Sequence, residues 1–471
     1  MAWQAVQHGA DKAIDLARLL ILAAILTPED FGLLAVSMIA VAFVTQMTEW
    51  GMLPALVQRQ SVHAIHYETA WTFGVLRGVV VAAVIVPAAP WIADLFAEPR
   101  ATDLIRALAF VPLINGLASI RIADLTRTLR FRQLAIVRLS GTATAALAAV
   151  ALAPSLGAWA LVIGALVGPG VSAAVSYGVA PWRPRLRFDP NAWRSLIHFG
   201  RWIFLTGAIV AVGNAVSQGV ISRRLGTVDL GLYYLATKLV FSVSDVGQQV
   251  FSNVAFPMYA RLQSSVADAA RAYRSILIAM GVLLTPVFAI AFALAPALTE
   301  ILGAKWAGTE PLIRVLCLAA IVGSYGDVAV PLLNGLGRPN RVSMLEALQS
   351  SLFILGILAL IGPFGLTGAT LAWLISVSAS LVLALIFVFG LLAGPHDGLA
   401  RPMSSVLIGS AAAGILAWSL FTMVPGAFGA LIAGFVSLTA FWGGLWLCDG
   451  ILSLNLRNSL SMVFQIIGRR N

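Results

Sequence analysis

The sequence predicts an all-α integral membrane protein with about fourteen transmembrane helices. Its 471 residues are 60% hydrophobic and only 11% charged, whereas a soluble domain carries roughly 25% charged residues. The mean hydropathy is +0.92, and each bilayer span needs about 20 mostly apolar residues. So few charges cannot cover a water-facing surface, which argues against a soluble enzyme and leaves no length for a separate soluble domain.

Apolar windows place the spans in two series of six, followed by two more. The first series covers residues 8–26, 31–50, 69–92, 104–121, 137–153 and 158–179. The second covers 202–221, 231–252, 275–295, 312–334, 343–361 and 367–392, and the last two are 404–422 and 427–448. Pro112 and Pro169 do not change this count, because neighbouring helices can satisfy the backbone groups that proline frees.

The basic residues indicate how these spans are oriented. Nucleic-acid binding needs a basic face in water, but here the net charge of +10 lies in gaps between spans, so no nucleic acid is expected. One set of connections holds twenty basic residues and the other only four, which predicts that both termini are cytoplasmic. The twenty are Arg59, Arg121, Arg127, Arg130, Arg132, Arg138, Arg183, Arg185, Arg187, Arg194, Arg201, Arg261, Arg271, Arg274, Arg338, Arg341, Arg401, Arg457, Arg469 and Arg470; the four are Arg100, Arg223, Arg224 and Lys305.

An internal repeat divides the chain. LTPEDFGLLAVSMIAV from Leu26 matches LGTVDLGLYYLATKLV from Leu225, and APWIADLF and TDLIRAL match APALTEIL and EPLIRVL at offsets that drift from 199 to 208. We therefore expect six-helix lobes at 1–180 and 202–394, a linker at 181–201, and two extra helices with a cytoplasmic tail at 395–471. Lobes of six spans form a parallel repeat, which in transporters places a substrate path at the interface of the repeats.

The linker mixes arginines with Trp182, Trp193 and Trp202. This composition is typical of a segment at the level of the lipid headgroups. Basic residues beside a membrane usually serve topology, so a binding site for anionic lipid stays the alternative.

Residues 16–60 (LARLLILAAILTPEDFGLLAVSMIAVAFVTQMTEWGMLPALVQRQ) resemble the start of bacterial polysaccharide exporters of the Wzx type. The similarity is greatest to the colanic-acid and exopolysaccharide branch of the multidrug/oligosaccharidyl-lipid/polysaccharide exporter superfamily. It continues in LRFRQLAIVRL (129–139), DLGLYYLATKLV (229–240), ILGAKWAGTEPLIRVLCLAA (301–320) and NGLGRPNR (334–341), over roughly residues 10–395.

The resemblance implies a flippase that moves a polyprenyl-diphosphate-linked oligosaccharide from the inner to the outer leaflet of the bacterial inner membrane. It also implies membrane lipids and polysaccharide polymerase machinery as partners. No cofactor is expected beyond a coupling ion, H⁺ or Na⁺.

Polar stripes on two predicted helices are candidates for the substrate cavity. At 100° per residue, each stripe covers an arc of roughly 80°. On the first helix it comprises Gln4, Gln7, Asp11, Asp15 and Arg18, and on the eighth Lys238, Ser242, Asp245, Gln249 and Ser252. Charges inside spans are costly and normally face water or the bundle interior. The cations would attract the diphosphate, and the amides and the Ser242 hydroxyl would bind sugar.

The alternative is that Asp15 with Arg18, and Lys238 with Asp245, only neutralise each other. The second spacing is about 10 Å along the axis, which is too far for direct pairing within one helix. Arg77 is a further cavity candidate, although it could extend to the headgroups.

Asp327, flanked by Gly323 and Gly326, could bind a cation at a helix break or could only stabilise the helix. Asp327, Asp245 and Asp15 are the coupling-ion candidates. Glu49 lies at a predicted outer helix end, where surface positions are common. His63 and His66 have a metal-like spacing without a further ligand nearby, so no metal site is expected.

Other functional classes are less compatible with the sequence. An ATP-driven pump would need a GxxxxGK[ST] loop, and a glycosyltransferase would need a large extramembrane catalytic loop; neither is present. The serious alternative is a multidrug or organic-cation antiporter of the same superfamily, for which an acidic cavity is expected rather than one that mixes Arg18 and Lys238 with Asp15 and Asp245.

Overall fold

The computed structural model describes residues 2–48, 52–58, 62–128, 130–262, 265–392 and 399–452. In these ranges the chain is mostly helical, with two short 3₁₀ turns at Pro99–Ala101 and Ala304–Trp306 and without strands. The α-helices, α1 to α18 in chain order, are Ala2–Ile25, Pro28–Met47, Met52–Gln58, Ala64–Leu95, Thr102–Leu108, Val111–Gly116, Ile122–Arg127, Phe131–Leu156, Ala158–Val179, Pro190–Leu225, Thr227–Arg261, Val266–Ala293, Ala295–Leu302, Thr309–Asp327, Ala329–Gly335, Pro339–Phe389, Ala400–Met423 and Ala427–Leu452.

A helix or a pair of helices lies at each predicted span. Within the described residues, nine helical stretches are long and apolar enough to cross a membrane. The longest is α16, which contains two predicted spans and breaks at Gly365, where φ is 56°. The predicted spans outside the nine stretches lie on α1, on α5 with α6, on α10 and on α11. The all-α membrane fold is confirmed, and the count of fourteen stays a prediction.

The LTPEDFG motif forms the start of α2. The Thr27 hydroxyl accepts from the Asp30 backbone N–H at 3.3 Å, and the Thr27 N–H donates to Asp30 Oδ2 at 3.0 Å. This reciprocal capping box satisfies backbone donors that a helix start leaves without partners. Asp30 Oδ1 also accepts from the N–H of Ala158 at 3.0 Å. One aspartate therefore caps α2 and holds the start of α9 beside it.

The chain divides into two compact units, the first ending at Tyr234 and the second beginning at Leu235 within α11. In the first unit, α8 packs against α1 and α9, α4 packs against α5 and α6, and α10 packs against α2, α3 and α4. The expected boundaries at 180 and 202 concern the sequence repeat and stay a prediction.

The two copies of the LTPEDFG repeat cross each other inside the first unit. A Cβ on Gly32 would lie 1.9 Å from the carbonyl oxygen of Thr227, and a Cβ on Gly231 would lie 1.8 Å from that of Pro28. Pro28 matches Thr227, and Gly32 matches Gly231, at the repeat offset of 199. The contact is thus reciprocal, and both positions need glycine because a side chain would occupy the other copy's backbone.

The second unit is built around α12, which is largely buried and packs against α14, α17 and α18. An apolar cluster joins Ile278 and Val282 of α12 to Ala413 of α17 and Phe441 of α18. The outward faces of α17 and α18 carry strongly exposed apolar side chains, among them Ile408, Ile415, Phe428, Leu431 and Phe435. Such faces suit a lipid environment.

Candidate functional site

The polar stripe on α11 is the first candidate site. The side chains of Lys238 and Asp245 are exposed, and so is that of Gln248, which completes the same helix face. The Ser242 hydroxyl donates to the carbonyl oxygen of Lys238 at 2.6 Å. Its proton is therefore bound within the helix, whereas its oxygen can still accept a hydrogen bond from a ligand. The side chain of Gln249 lies outside the described residues. The arrangement offers a cation, a carboxylate and an amide along about three turns of one helix.

The stripe on α1 contains the ion pair that the alternative interpretation expected. Arg18 NH2 lies 3.2 Å from Asp15 Oδ1, and the two side chains are 33% and 41% exposed. Asp11 accepts from the Thr142 hydroxyl of α8 at 3.3 Å. Pairing offsets the two charges locally but leaves both groups within reach of water, so the pair does not exclude a cavity role. The side chain of Gln4 lies outside the described residues.

Arg77 lies on α4, thirteen residues after the helix begins, and is half-buried. It stands between Gly74 and Gly78, where α6 approaches closely: a Cβ on Gly78 would lie 2.3 Å from Cα of Leu113. Small residues at this crossing allow the two helices to come together. No function of Arg77 follows from these contacts.

Asp327 ends α14 and is half-buried inside the second unit. Two polar residues act on its carboxylate: Gln248 of α11 through a hydrogen bond and Glu346 of α16 through its charge. Nearby, the hydroxyls of Tyr325 and Thr285 share a hydrogen bond of 2.8 Å. The structure therefore links the Asp327 candidate to the α11 stripe through Gln248.

Gln248 and Glu346 are residues that the sequence reasoning missed. Glu346 lies within the predicted span 343–361, and a carboxylate inside a span is itself a signal of function. Gln248 was missed because it lies outside the helical arc centred on Lys238, whereas its neighbour Gln249 lies inside that arc.

A second repeated motif was also missed. VPLINGL, from Val111, and VPLLNGL, from Val330, differ at one position and form α6 and α15. Val111 stands seven positions after Leu104 of LIRAL, whereas Val330 stands eighteen positions after Leu312 of LIRVL. The eleven additional residues make about three helical turns, which preserves the helix face and lengthens the fourth span of the second predicted lobe.

The extra turns carry the coupling candidate. Asp327 stands four residues before Pro331 of the second motif, and the equivalent position before Pro112 is the buried Leu108. The two lobes therefore share a motif but not its carboxylate. This difference makes Asp327 a feature of the second unit alone.

The remaining candidates have structural roles or lie outside the described residues. His66 Nδ1 accepts from the backbone N–H of His63 at 3.1 Å, which caps α4. Glu49 lies outside the described residues.

Long apolar helices, nine of them within the described residues, define a multi-pass membrane protein. The fold is similar to that of the lipid II flippase MurJ, with a TM-score of 0.74 at 12% identity over 95% of this chain and 99% of that chain. An inward-facing multidrug resistance MATE transporter gives a TM-score of 0.61 at 14% identity over 80% and 94%.

Residues 21–311 match the family described as "polysaccharide biosynthesis protein", and the chain belongs to that family. It is similar to the lipopolysaccharide biosynthesis protein WzxC of Escherichia coli, with 24% identity over 79% of this chain and 77% of WzxC. The succinoglycan biosynthesis transport protein ExoT of Rhizobium meliloti is 26% identical over 72% of this chain and 69% of ExoT. The predicted resemblance to polysaccharide exporters is confirmed, and the family is one of transporters, not enzymes.

Proposed function

We propose that this protein flips a polyprenyl-diphosphate-linked oligosaccharide across the bacterial inner membrane by alternating access of its two lobes, with both termini in the cytoplasm. Family membership supports a polysaccharide precursor as substrate, as do the names of the relatives WzxC and ExoT. Polymerase machinery is the expected partner that takes up the product.

The observation that carries the proposal is the exposed stripe of Lys238, Asp245 and Gln248 on α11. Charged groups that face lipid are costly, so exposed charges on a spanning helix favour a water-filled path. A diphosphate keeps its negative charge throughout transfer, and a fixed cation lowers the cost of that charge far more in a low-dielectric path than in water. Lys238 would contact the diphosphate, while Ser242 and Gln249 would contact sugar hydroxyls. Arg18, Asp15 and Arg77 are the candidates in the first unit.

The pair of Asp327 and Glu346 supplies the proposed coupling site. The charges of these two carboxylates oppose each other, and binding of H⁺ or Na⁺ would relieve that repulsion. The hydrogen bond from Gln248 to Asp327 would transmit the occupancy to the α11 stripe. Asp245 and Asp15 are the other coupling candidates.

The function is tested in a deletion strain that accumulates lipid-linked repeat units. Lys238→Arg should restore part of the export, because the charge is kept, whereas Lys238→Gln should lose most of it. Lys305→Gln is the matched control: Lys305 is also exposed but belongs to a connection between helices. Export and accumulated lipid-linked oligosaccharide are measured at equal protein abundance, because removing a charge from a membrane helix can itself destabilise the protein.

Full export by Lys238→Gln at equal abundance would contradict the diphosphate contact. If the deletion strain accumulated no lipid-linked oligosaccharide and instead became sensitive to cationic drugs, the protein would be a multidrug or organic-cation antiporter and the proposed function would be wrong.

A further inference from the structure

Residues 181–189, which we call the strap, connect α9 to α10 and are fixed to the first unit. The Thr72 hydroxyl of α4 binds the strap backbone: it donates to the carbonyl oxygens of Arg187 at 3.1 Å and Arg185 at 3.4 Å, and it accepts from the Arg187 N–H at 3.0 Å. The N–H of Asp189 donates to the Thr69 hydroxyl at 3.2 Å. Two threonines one turn apart therefore hold the strap along α4 without using any of its side chains.

Aromatic residues anchor both ends of the strap. Trp182 meets Trp71 edge-on, with ring centroids 5.9 Å apart, and Trp193 lies 6.1 Å from Phe188. Trp182 and Trp193 both pack against one apolar cluster formed by Met52, Leu56, Tyr67, Ala70 and Ala123. The strap is thus a fixed part of the surface.

The side chains between these anchors are presented outward. Arg183, Arg185 and Arg187 alternate with Pro184, Leu186 and Phe188, and every one of them is exposed. Leu186 is 78% exposed. Arg187 lies 3.9 Å from Glu68, whereas Arg183 and Arg185 form no ion pair with the residues that the structure describes. A rigid backbone therefore presents guanidinium and apolar groups at alternate positions.

We propose that the strap binds the headgroups of anionic phospholipids in the leaflet beside the end of α9. That helix ends at Val179, two residues before the strap, so continuity with a membrane-spanning helix keeps the strap at headgroup level. Guanidinium groups pair with lipid phosphates, and the exposed Leu186 enters the apolar region just below them. An acidic protein surface would satisfy the arginines but would leave Leu186 unmatched.

The strap also joins the two predicted lobes along the chain. Because its backbone is bonded to α4, lipid bound at Arg183 and Arg185 would hold the first unit to the leaflet. The proposal uses no residue of the α11 stripe, so it does not depend on the proposed transport function.

Purified protein in nonionic detergent is titrated with phosphatidylglycerol and, separately, with phosphatidylcholine of the same acyl chains, and bound lipid is counted by native mass spectrometry. Each arginine near an anionic surface contributes about fivefold in affinity at low ionic strength. Arg183→Gln/Arg185→Gln should therefore weaken phosphatidylglycerol binding by roughly 25-fold and leave phosphatidylcholine binding unchanged. Arg338→Gln/Arg401→Gln is the matched control, because it removes two exposed arginines of the second unit.

Two further arms identify the ligand. Leu186→Ser should weaken phosphatidylglycerol binding without removing charge, because the apolar contact is lost. Glycerol 1-phosphate at millimolar concentration should fail to displace the lipid; displacement would show a phosphate site and overturn the lipid proposal. So would a change below twofold in Arg183→Gln/Arg185→Gln, or an equal loss in the control variant. An unchanged melting temperature in detergent without lipid confirms that the double variant is folded.

Discussion

The connections between the third and fourth spans of the two lobes both contain a residue with a positive φ and a 3₁₀ turn, but they differ in chemistry. In the first unit, α4 is followed by Ala97 with a φ of 56° and then a 3₁₀ turn; in the second, α13 is followed by Gly303 with a φ of 92° and then a 3₁₀ turn. Each turn is closed by the threonine that begins the next helix. The Thr102 hydroxyl donates to Pro99 at 2.7 Å, and that of Thr309 donates to Trp306 at 2.7 Å.

The contacts that hold these turns are opposite in character. Glu98 is 5% exposed and accepts two hydrogen bonds from Arg100 at 2.6 and 3.0 Å, together with one from the Thr227 hydroxyl. Arg100 also binds Glu29 at 2.7 Å. In the second unit the turn carries Trp306, which is fully buried.

The two connections show that local hydrogen bonds are enough to form the turn, because the surrounding contacts differ between them. The first connection is held by hydrogen bonds and ion pairs, which reach α2 and the start of α11. The second connection is held by the burial of one large apolar side chain.

The largest effect is expected for Trp306→Ala. Truncation of a fully buried tryptophan leaves a cavity and costs about 3–5 kcal/mol, so the melting temperature in detergent should fall sharply. Trp306→Phe is the control and should retain most of the stability, because much of the packing is kept. A fall no larger than that of Trp306→Phe would show that the indole does not hold the second connection.

Much of this organisation was available from the sequence. Apolar windows placed a helix at every predicted span, and the match of Leu26 with Leu225 found the repeat whose glycines cross in the structure. Contacts between distant residues were not available: Glu98 and Thr227 are 129 positions apart, and no local pattern pairs them. Asp327 was found because charges in spans are rare, but its neighbour Glu346 depends on how α14 packs against α16. From the sequence, the strap was identified only as a linker, because hydrogen bonds between the hydroxyls of Thr69 and Thr72 and the strap backbone cannot be recognised from composition.

A smaller effect is expected for Glu98→Gln. The neutral amide weakens the charge-assisted hydrogen bonds with Arg100, which are worth about 1.5–3 kcal/mol, so the melting temperature at neutral pH should fall moderately. Asp103→Asn is the matched control: Asp103 pairs with Arg106 at 2.9 Å, but its side chain is 70% exposed, and such surface pairs contribute little. Equal losses in the two variants would mean that burial adds nothing at Glu98.

The pH dependence of Glu98→Gln sharpens this test. Burial raises the pKa of Glu98, but the hydrogen bonds from Arg100 and Thr227 lower it more, so its pKa lies below the ordinary value of 4.5. A lowered pKa in the folded state means that the stabilisation is complete above the unfolded value and is lost as the pH falls through the folded value. The difference in melting temperature between parent and variant should therefore be constant above about pH 5 and shrink below pH 4.5. A difference that did not change with pH would exclude the carboxylate as its source.

The smallest effect, and the only gain, is expected for Ala97→Gly. Ala97 is the one residue other than glycine with a positive φ among the described residues, and removing its Cβ relieves that strain, although glycine also gains freedom in the unfolded chain. The net gain should be below about 1 kcal/mol and is measured as a small rise in melting temperature.

Gly303→Ala is the reciprocal change. No atom lies within 4 Å of the added Cβ, so the stability that this variant loses reports backbone strain alone. That strain is about 1–3 kcal/mol for a conformation that is essentially restricted to glycine. Opposite signs in the two variants would establish that both connections need a residue with a positive φ. A loss in Ala97→Gly would show instead that the methyl group of Ala97 contributes packing that outweighs the strain.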